Sequence, residues 1–293
     1  MNKHFLVTVS NDYEHLTGVE FICSFFKQLS EHQITLLHIS RLDAADMNKA
    51  LTKMWDKPEE GVTGPLTVGA RKALEKSRSL LSKSNMSVDQ MITKTFPERY
   101  GKINDILREG ATGLYDAIVL GKRASYTLQW VFERPAEETA KAIIQDSSLS
   151  SPLWICPEPE QGRKHVLIGV DGSVGSLRAV DHVGYTLSRQ DQHTVTLLHV
   201  ENGAGLDSAL IFQKSTRILH GHSVGDERIH LDTTWGLNVA STITGYAEKS
   251  GFAAIAVGLQ GVDQGILKRM NLAGGTTAGL IGRAEKISLW CCP

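Results

Sequence analysis

The chain has no apolar run approaching the roughly 18 residues that a membrane-spanning helix requires, and charge of neither sign gathers in a long block. Its 31 lysines and arginines stand against 32 aspartates and glutamates, for a formal net charge of -1. Without a concentrated basic face, nucleic acid and anionic membrane surfaces are poor partners, and neither is expected here. Cysteine is scarce as well. Cys23, Cys156, Cys291 and Cys292 lie in apolar contexts with none of the paired spacings of a zinc site or a secreted disulfide framework. They are expected to be buried structural thiols. Aromatic residues make up only 6% of the chain, yet 41% is hydrophobic and 22% charged, a globular balance that excludes disordered and collagen-like readings. The start, MNKHFLVTVSNDYEHL, turns polar after one short strand-like run, so a cytoplasmic protein is expected.

What the 293 residues do contain is a repeat. KHFLVTVS at 3–10 returns as KHVLIGVD at 164–171, and TLLHI at 35–39 returns as TLLHV at 196–200, at one constant offset. Further on, YDAIVLGKR at 115–123 pairs with FAAIAVGLQ at 252–260, and SPLWICP at 151–157 with SLWCCP at 288–293. Two homologous units, 1–157 and 164–293, are therefore expected, joined through the exposed linker PEPEQGR at 157–163. The second is about 24 residues shorter in its middle.

Within each unit, short apolar runs alternate with stretches of helical period. That is the pattern of an α/β fold: two tandem five-stranded parallel sheets of Rossmann-like type, covered by helices. Leu177, Val180, Val183, Gly184 and Leu187 recur at helical spacing after the first strand of unit two. Leu66, Ala70, Ala73, Leu74, Leu80 and Leu81 mark a second helix in unit one, whose counterpart around Leu206 to Leu219 reads as abbreviated. The last strands, 152–156 and 287–292, are apolar on both faces, and exposed apolar edges invite aggregation. They are expected to pair with each other about a pseudo-two-fold axis, making an intramolecular pseudo-dimer; a homodimer of whole chains stays open.

In open parallel sheets, ligands sit beyond the carboxyl ends of the strands, where strand order reverses. In unit two the loops that reach this place are Val170-Asp171-Gly172-Ser173, His199-Val200-Glu201, and GLQGVDQGILKRMNLAGGTT from Gly258 to Thr277. Glycines in such a loop let backbone amides approach phosphate closely, and the following helix start adds unpaired N–H groups.

VDGSVGSLRAV after the first strand, together with that glycine loop, resembles the universal stress protein family in tandem form, over essentially the whole chain. ATP-binding members of that family carry an Asp at the end of the first strand and a Gly-x2-Gly-x9-Gly-(Ser/Thr) loop after the fourth. The resemblance implies ATP or another adenine nucleotide as ligand, with the metal requirement open. Asp171 would face the adenosine moiety and Val200 would offer backbone contacts to adenine. Gly258 and Gly261 would line the phosphate path, and Gly274, Gly275 and Thr276 would hold the phosphates. The loop departs from the family in length, with 12 residues between Gly261 and Gly274, or 13 counted to Gly275, where the family has nine. Unit one departs further: Ser10 stands at the place of Asp171, Gly121 is followed by Lys122 and Arg123, and Arg134-Pro135 replaces the Gly-Thr corner. Proline has no amide proton to give, so no family-type site is expected there.

His220, His222 and His230 offer a His-x-His and a third imidazole but no partner completing a recognised zinc spacing. His38 and His199, at equivalent strand ends, suggest a shared hydrogen-bonding role. Three functional readings remain open. The leading one is a stress-response regulatory or binding module that takes up nucleotide in its second unit. The second is a slow ATPase using Lys268, Arg269 and Asp263, although no Walker-type loop or defined general base accompanies them. The third is a ligand-free interaction scaffold.

Overall fold

The computed structural model describes residues 2–40, 66–121, 149, 151–259, 275–281, 283 and 286–293. The elements follow one another as β1 (Lys3–Thr8), α1 (Thr17–Phe25), β2 (His32–Ser40), α2 (Val68–Lys83), β3 (Met91–Pro97), α3 (Lys102–Thr112), β4 (Ala117–Gly121) and β5 (Leu153–Cys156). The sequence of elements then repeats: β6 (Val166–Gly169), α4 (Val174–Leu187), β7 (Val195–Glu201), α5 (Ser208–Gly221), β8 (Ile229–Trp235), α6 (Val239–Ser250), β9 (Ala254–Gly258), α7 (Gly275–Ile281) and β10 (Ser288–Cys292).

All ten strands form one sheet, in the order β3-β2-β1-β4-β5-β10-β9-β6-β7-β8. Neighbours run parallel except β5 and β10, which meet antiparallel with Trp154 opposite Trp290. The central strands are apolar on both faces, as strands sandwiched between helices must be. Phe5, Val7, Val166 and Ile168 enter one core, with α1, α2, α4 and α5 packed on it. Leu6, Leu167 and Ile255 enter the other, with Ile106 and Leu107 of α3 and Ala240 and Ile243 of α6. The first core continues across the seam through Trp154 and Trp290, whose rings stack at 3.9 Å and 3°. Such aromatic pairing is worth about 0.5–1.5 kcal/mol beyond the area it buries. Phe25 stacks on His193 at 4.1 Å across the same seam.

The expected shortening of the helix around Leu206 to Leu219 is corrected: α5 has 14 residues against 16 in α2. The halves differ instead in the number of residues between the second strand and this helix, 202–207 in the second and 41–67 in the first. Connections change length at little thermodynamic cost, whereas a helix that loses turns uncovers core. All four cysteines are free; Cys156, Cys291 and Cys292 are buried, and burial pushes the first two thiols up to about 12. Among the described residues no helix is long and apolar enough to cross a membrane.

Candidate functional site

Strand order reverses between β6 and β9, so the crevice beyond their carboxyl ends is the geometric candidate for a site. β6 delivers Val170 and Asp171 to it. The Val170 amide bonds to the Leu198 carbonyl at 2.9 Å, and the Val170 carbonyl accepts from Nδ1 of His199 at 2.8 Å, which ties the β6 exit to β7. The equivalent bond in the other half, from His38 Nδ1 to the Val9 carbonyl, is also 2.8 Å long. The shared hydrogen-bonding role of the two histidines is thus observed.

Asp171 organises the next turn. Its Oδ1 accepts from the Ser173 amide at 3.0 Å and from the Ser173 hydroxyl at 2.6 Å. Ser173 Oγ in turn accepts from the Ser176 amide at 3.1 Å, capping α4. Gly172 takes the left-handed conformation, φ +77°, that this tight turn demands. In the first half Ser10 makes the same turn with a hydroxyl, accepting from the Asp12 amide at 3.1 Å.

Gly258 closes the crevice from the β9 side. A Cβ there would stand 2.2 Å from the carbonyl carbon of Gly175 and 2.7 Å from the Ser176 amide nitrogen, so the absent side chain lets β9 lie against the first turn of α4. Gly121 does the same against Thr17 and Gly18 in the first half. Thr277 at the start of α7 donates to the Gly258 carbonyl at 3.3 Å and is buried, while Thr276 beside it is half-buried. Thr277 and Gly258 thereby lie against the first turn of α4, next to the turn that Asp171 holds, and Gly275 and Thr276 precede Thr277 in α7. Val200 lies at the β7 end, in register with Thr234, its side chain in the core. Gly261 and Gly274, like Lys122, Arg123 and Arg134 of the first half and Asp263, Lys268 and Arg269 of the second, lie outside the described residues.

Sequence reasoning missed Ser176 and Thr277. Ser176 Oγ accepts from the Asp171 amide at 3.4 Å and donates to the Ser173 carbonyl at 3.0 Å. The doubled Thr after Gly275 was the available signal for Thr277. His220, His222 and His230 do not converge. His220 bonds to Asp226 at 2.8 Å and His222 to Asp181 at 2.7 Å, and these histidines form no ligand cluster among the described residues. Asp12, Glu14 and His15 do lie close together, with His15 Nδ1 2.8 Å from Asp12 Oδ2, in the first-half loop.

No protein-family model matches the chain, and no curated protein matches it. Among solved structures, two from Pseudomonas aeruginosa align with 99% of this chain at 14% identity. One is a protein of unknown function, covered over 92% of its length with a TM-score of 0.52. The other carries a provisional description as a universal stress protein, covered over 93% with a TM-score of 0.51. A universal stress protein solved in complex with cAMP matches 44% of this chain and 95% of its own length, at 20% identity and a TM-score of 0.36. Likeness at this level concerns architecture, and the architecture is plain: this chain has the universal stress protein fold, in tandem form.

Proposed function

We propose that residues 1–157 and 164–293 are two homologous domains, and that the second takes up an adenine nucleotide, ATP first among them, as a binding and regulatory module. The observation that carries this reading is the contrast at the two β-strand exits. A hydroxyl at Ser10 suffices to hold the turn in the first half. The carboxylate of Asp171 in the second half therefore brings a negative charge that the first half does without at this turn. A paired set of ribose hydroxyls is the kind of donor such a carboxylate receives. Thr276, beside Thr277 at the start of α7, would supply a hydroxyl to the phosphates. The close packing of Gly258 on Gly175 means that this glycine shapes the floor of the site through its backbone.

Binding rather than turnover is the reading, because phosphoryl transfer needs an oriented nucleophile and positioned charge. The test is ATP-dependent thermal stabilisation of the purified full chain. A ligand held by the native state alone at a hundredfold excess over Kd stabilises by about 2.7 kcal/mol. Asp171→Asn keeps an amide oxygen for Ser173 while removing the charge, and it should cut that stabilisation with little loss of ligand-free stability. An unchanged melting temperature at saturating ATP would refute the reading. Steady ADP release that Thr276→Ala abolishes would move it to the ATPase class.

A further inference from the structure

On the flank of the seam, α4 presents Arg178, His182 and Tyr185 to a cleft of about 430 Å³, walled by Leu149, Pro152 and Pro293. The matching place beside α1 is closed. There the segment from Pro157 to Arg163 borders Phe21 and Ser24, and about 10 Å³ remains. Arg163 pins that segment, through Glu160 at 2.6 Å and the Phe252 carbonyl at 3.3 Å. The chemistry differs too, since Phe21 and Ser24 occupy the repeat positions of His182 and Tyr185.

His182 is only 8% exposed, and its Nε2 lies 2.9 Å from Nε1 of Trp154. An indole N–H can only donate, so Nε2 holds the lone pair and the imidazole carries its proton on Nδ1. Burial lowers the ring's pKa to about 3, which keeps it neutral. Among the described residues no acceptor takes the Nδ1 proton. A nearly buried side chain, its donor without an acceptor among the described residues, thus lines this open cleft. Arg178, one helical turn earlier, brings an exposed guanidinium to the same wall. Asp181 also borders the cleft, but one of its oxygens is held by His222.

The geometry points to a binding site for a small organic carboxylate with a flat apolar body. The carboxylate bridges the Arg178 guanidinium and the Nδ1–H of His182, and the body lies against Pro152, Leu149 and Pro293. Charge-assisted paired donors of this kind fit a carboxylate better than a neutral group. The volume falls within the ordinary range of small-molecule pockets. None of these residues belongs to the mouth around Asp171, so the site stands whether or not nucleotide binds there.

Fluorine NMR of para-fluorobenzoate with the full chain tests it, with para-fluorobenzamide and para-fluorobenzylamine as neutral and cationic counterparts. Saturable line broadening is expected for the carboxylate alone. Arg178→Gln, on the exposed side of the helix, should weaken it roughly tenfold, and His182→Phe, which installs the first-half residue, should abolish it. His182→Phe also leaves the Trp154 N–H without its acceptor, so near-ultraviolet circular dichroism checks that variant's fold. Should it unfold, Arg178→Gln decides alone. No saturable broadening, equal broadening by all three probes, or an unchanged affinity in Arg178→Gln would overturn the proposal.

Discussion

The two halves of the sheet, β1 to β5 and β6 to β10, repeat one another in strand order, in the histidine-to-carbonyl bond at the first strand exit, and in the glycine where the fourth strand meets the first helix. They differ in side chains at matching positions and in what covers them. Ser10 faces Asp171 across the repeat, Phe21 faces His182, and a covered flank faces an open one. The outer strands differ as well: β3 buries Met91, Thr95 and Pro97, whereas β8 leaves Leu231 and Trp235 exposed at 53% and 65%. Features that hold backbone to backbone have persisted in both copies, because either sheet would lose packing without them. Side chains around them differ between the copies.

The largest expected effect sharpens the glycine comparison. Gly258→Ala would press a methyl onto the backbone of Gly175, which cannot rotate away, whereas Gly121→Ala meets the Thr17 hydroxyl at 2.8 Å, a side-chain atom. Urea unfolding should show a loss of about 3 kcal/mol for the first and about 1 kcal/mol for the second. Equal losses would mean that the two junctions are packed alike after all.

A smaller effect separates the halves by pH. Burial lowers His182 to about 3 and His193 to about 4 in the second half, and His32 to about 4 in the first, from an ordinary value of 6.5. The unfolded chain therefore binds these protons first as pH falls below 6.5. The stability contributed by the neutral rings is complete above that value and is lost progressively until the folded-state values are reached. Urea midpoints between about pH 7 and about pH 4 should fall steadily. His182→Phe and His32→Phe should each flatten that fall, and an unchanged slope in either variant would contradict the burial of that ring.

The smallest effect belongs to the outer strands. Leu231→Thr, which installs the residue found at the matching first-half position, Thr93, should change stability by no more than about 0.5 kcal/mol. Met91→Thr in β3, where only 6% of the side chain is exposed, should cost about 2 kcal/mol. Similar values for the two would show that β8 is covered in solution.

Much of this was legible before any coordinates. The apolar runs and the constant offset led to ten strands in two copies, because a strand buried on both faces has little choice but an unbroken apolar run. Of the helix stripe Leu177, Val180, Val183, Gly184 and Leu187, the last four are buried in α4 and Leu177 is half-buried. Where the second copy is shorter was misread: the helix around Leu206 to Leu219 was read as abbreviated, while the difference in length lies before it. The reason for Gly258 was equally hidden. A glycine written into a loop motif looks like a phosphate contact, and only the 2.2 Å approach of Gly175 shows that it also serves helix packing. His182 carried no signal at all, being one histidine on an apolar helix stripe.

By itself the amino-acid order determined the repeat, the parallel strands, their buried faces and the family likeness, all of which follow from local periodicity and from residues close in the chain. Tertiary structure alone decided that Trp154 stacks on Trp290, that the segment from Pro157 to Arg163 closes one flank while the other stays open, and that His182 accepts from Trp154 at the wall of the open one. These depend on groups distant in the chain meeting across a seam, and no local pattern specifies which neighbour a side chain will find there.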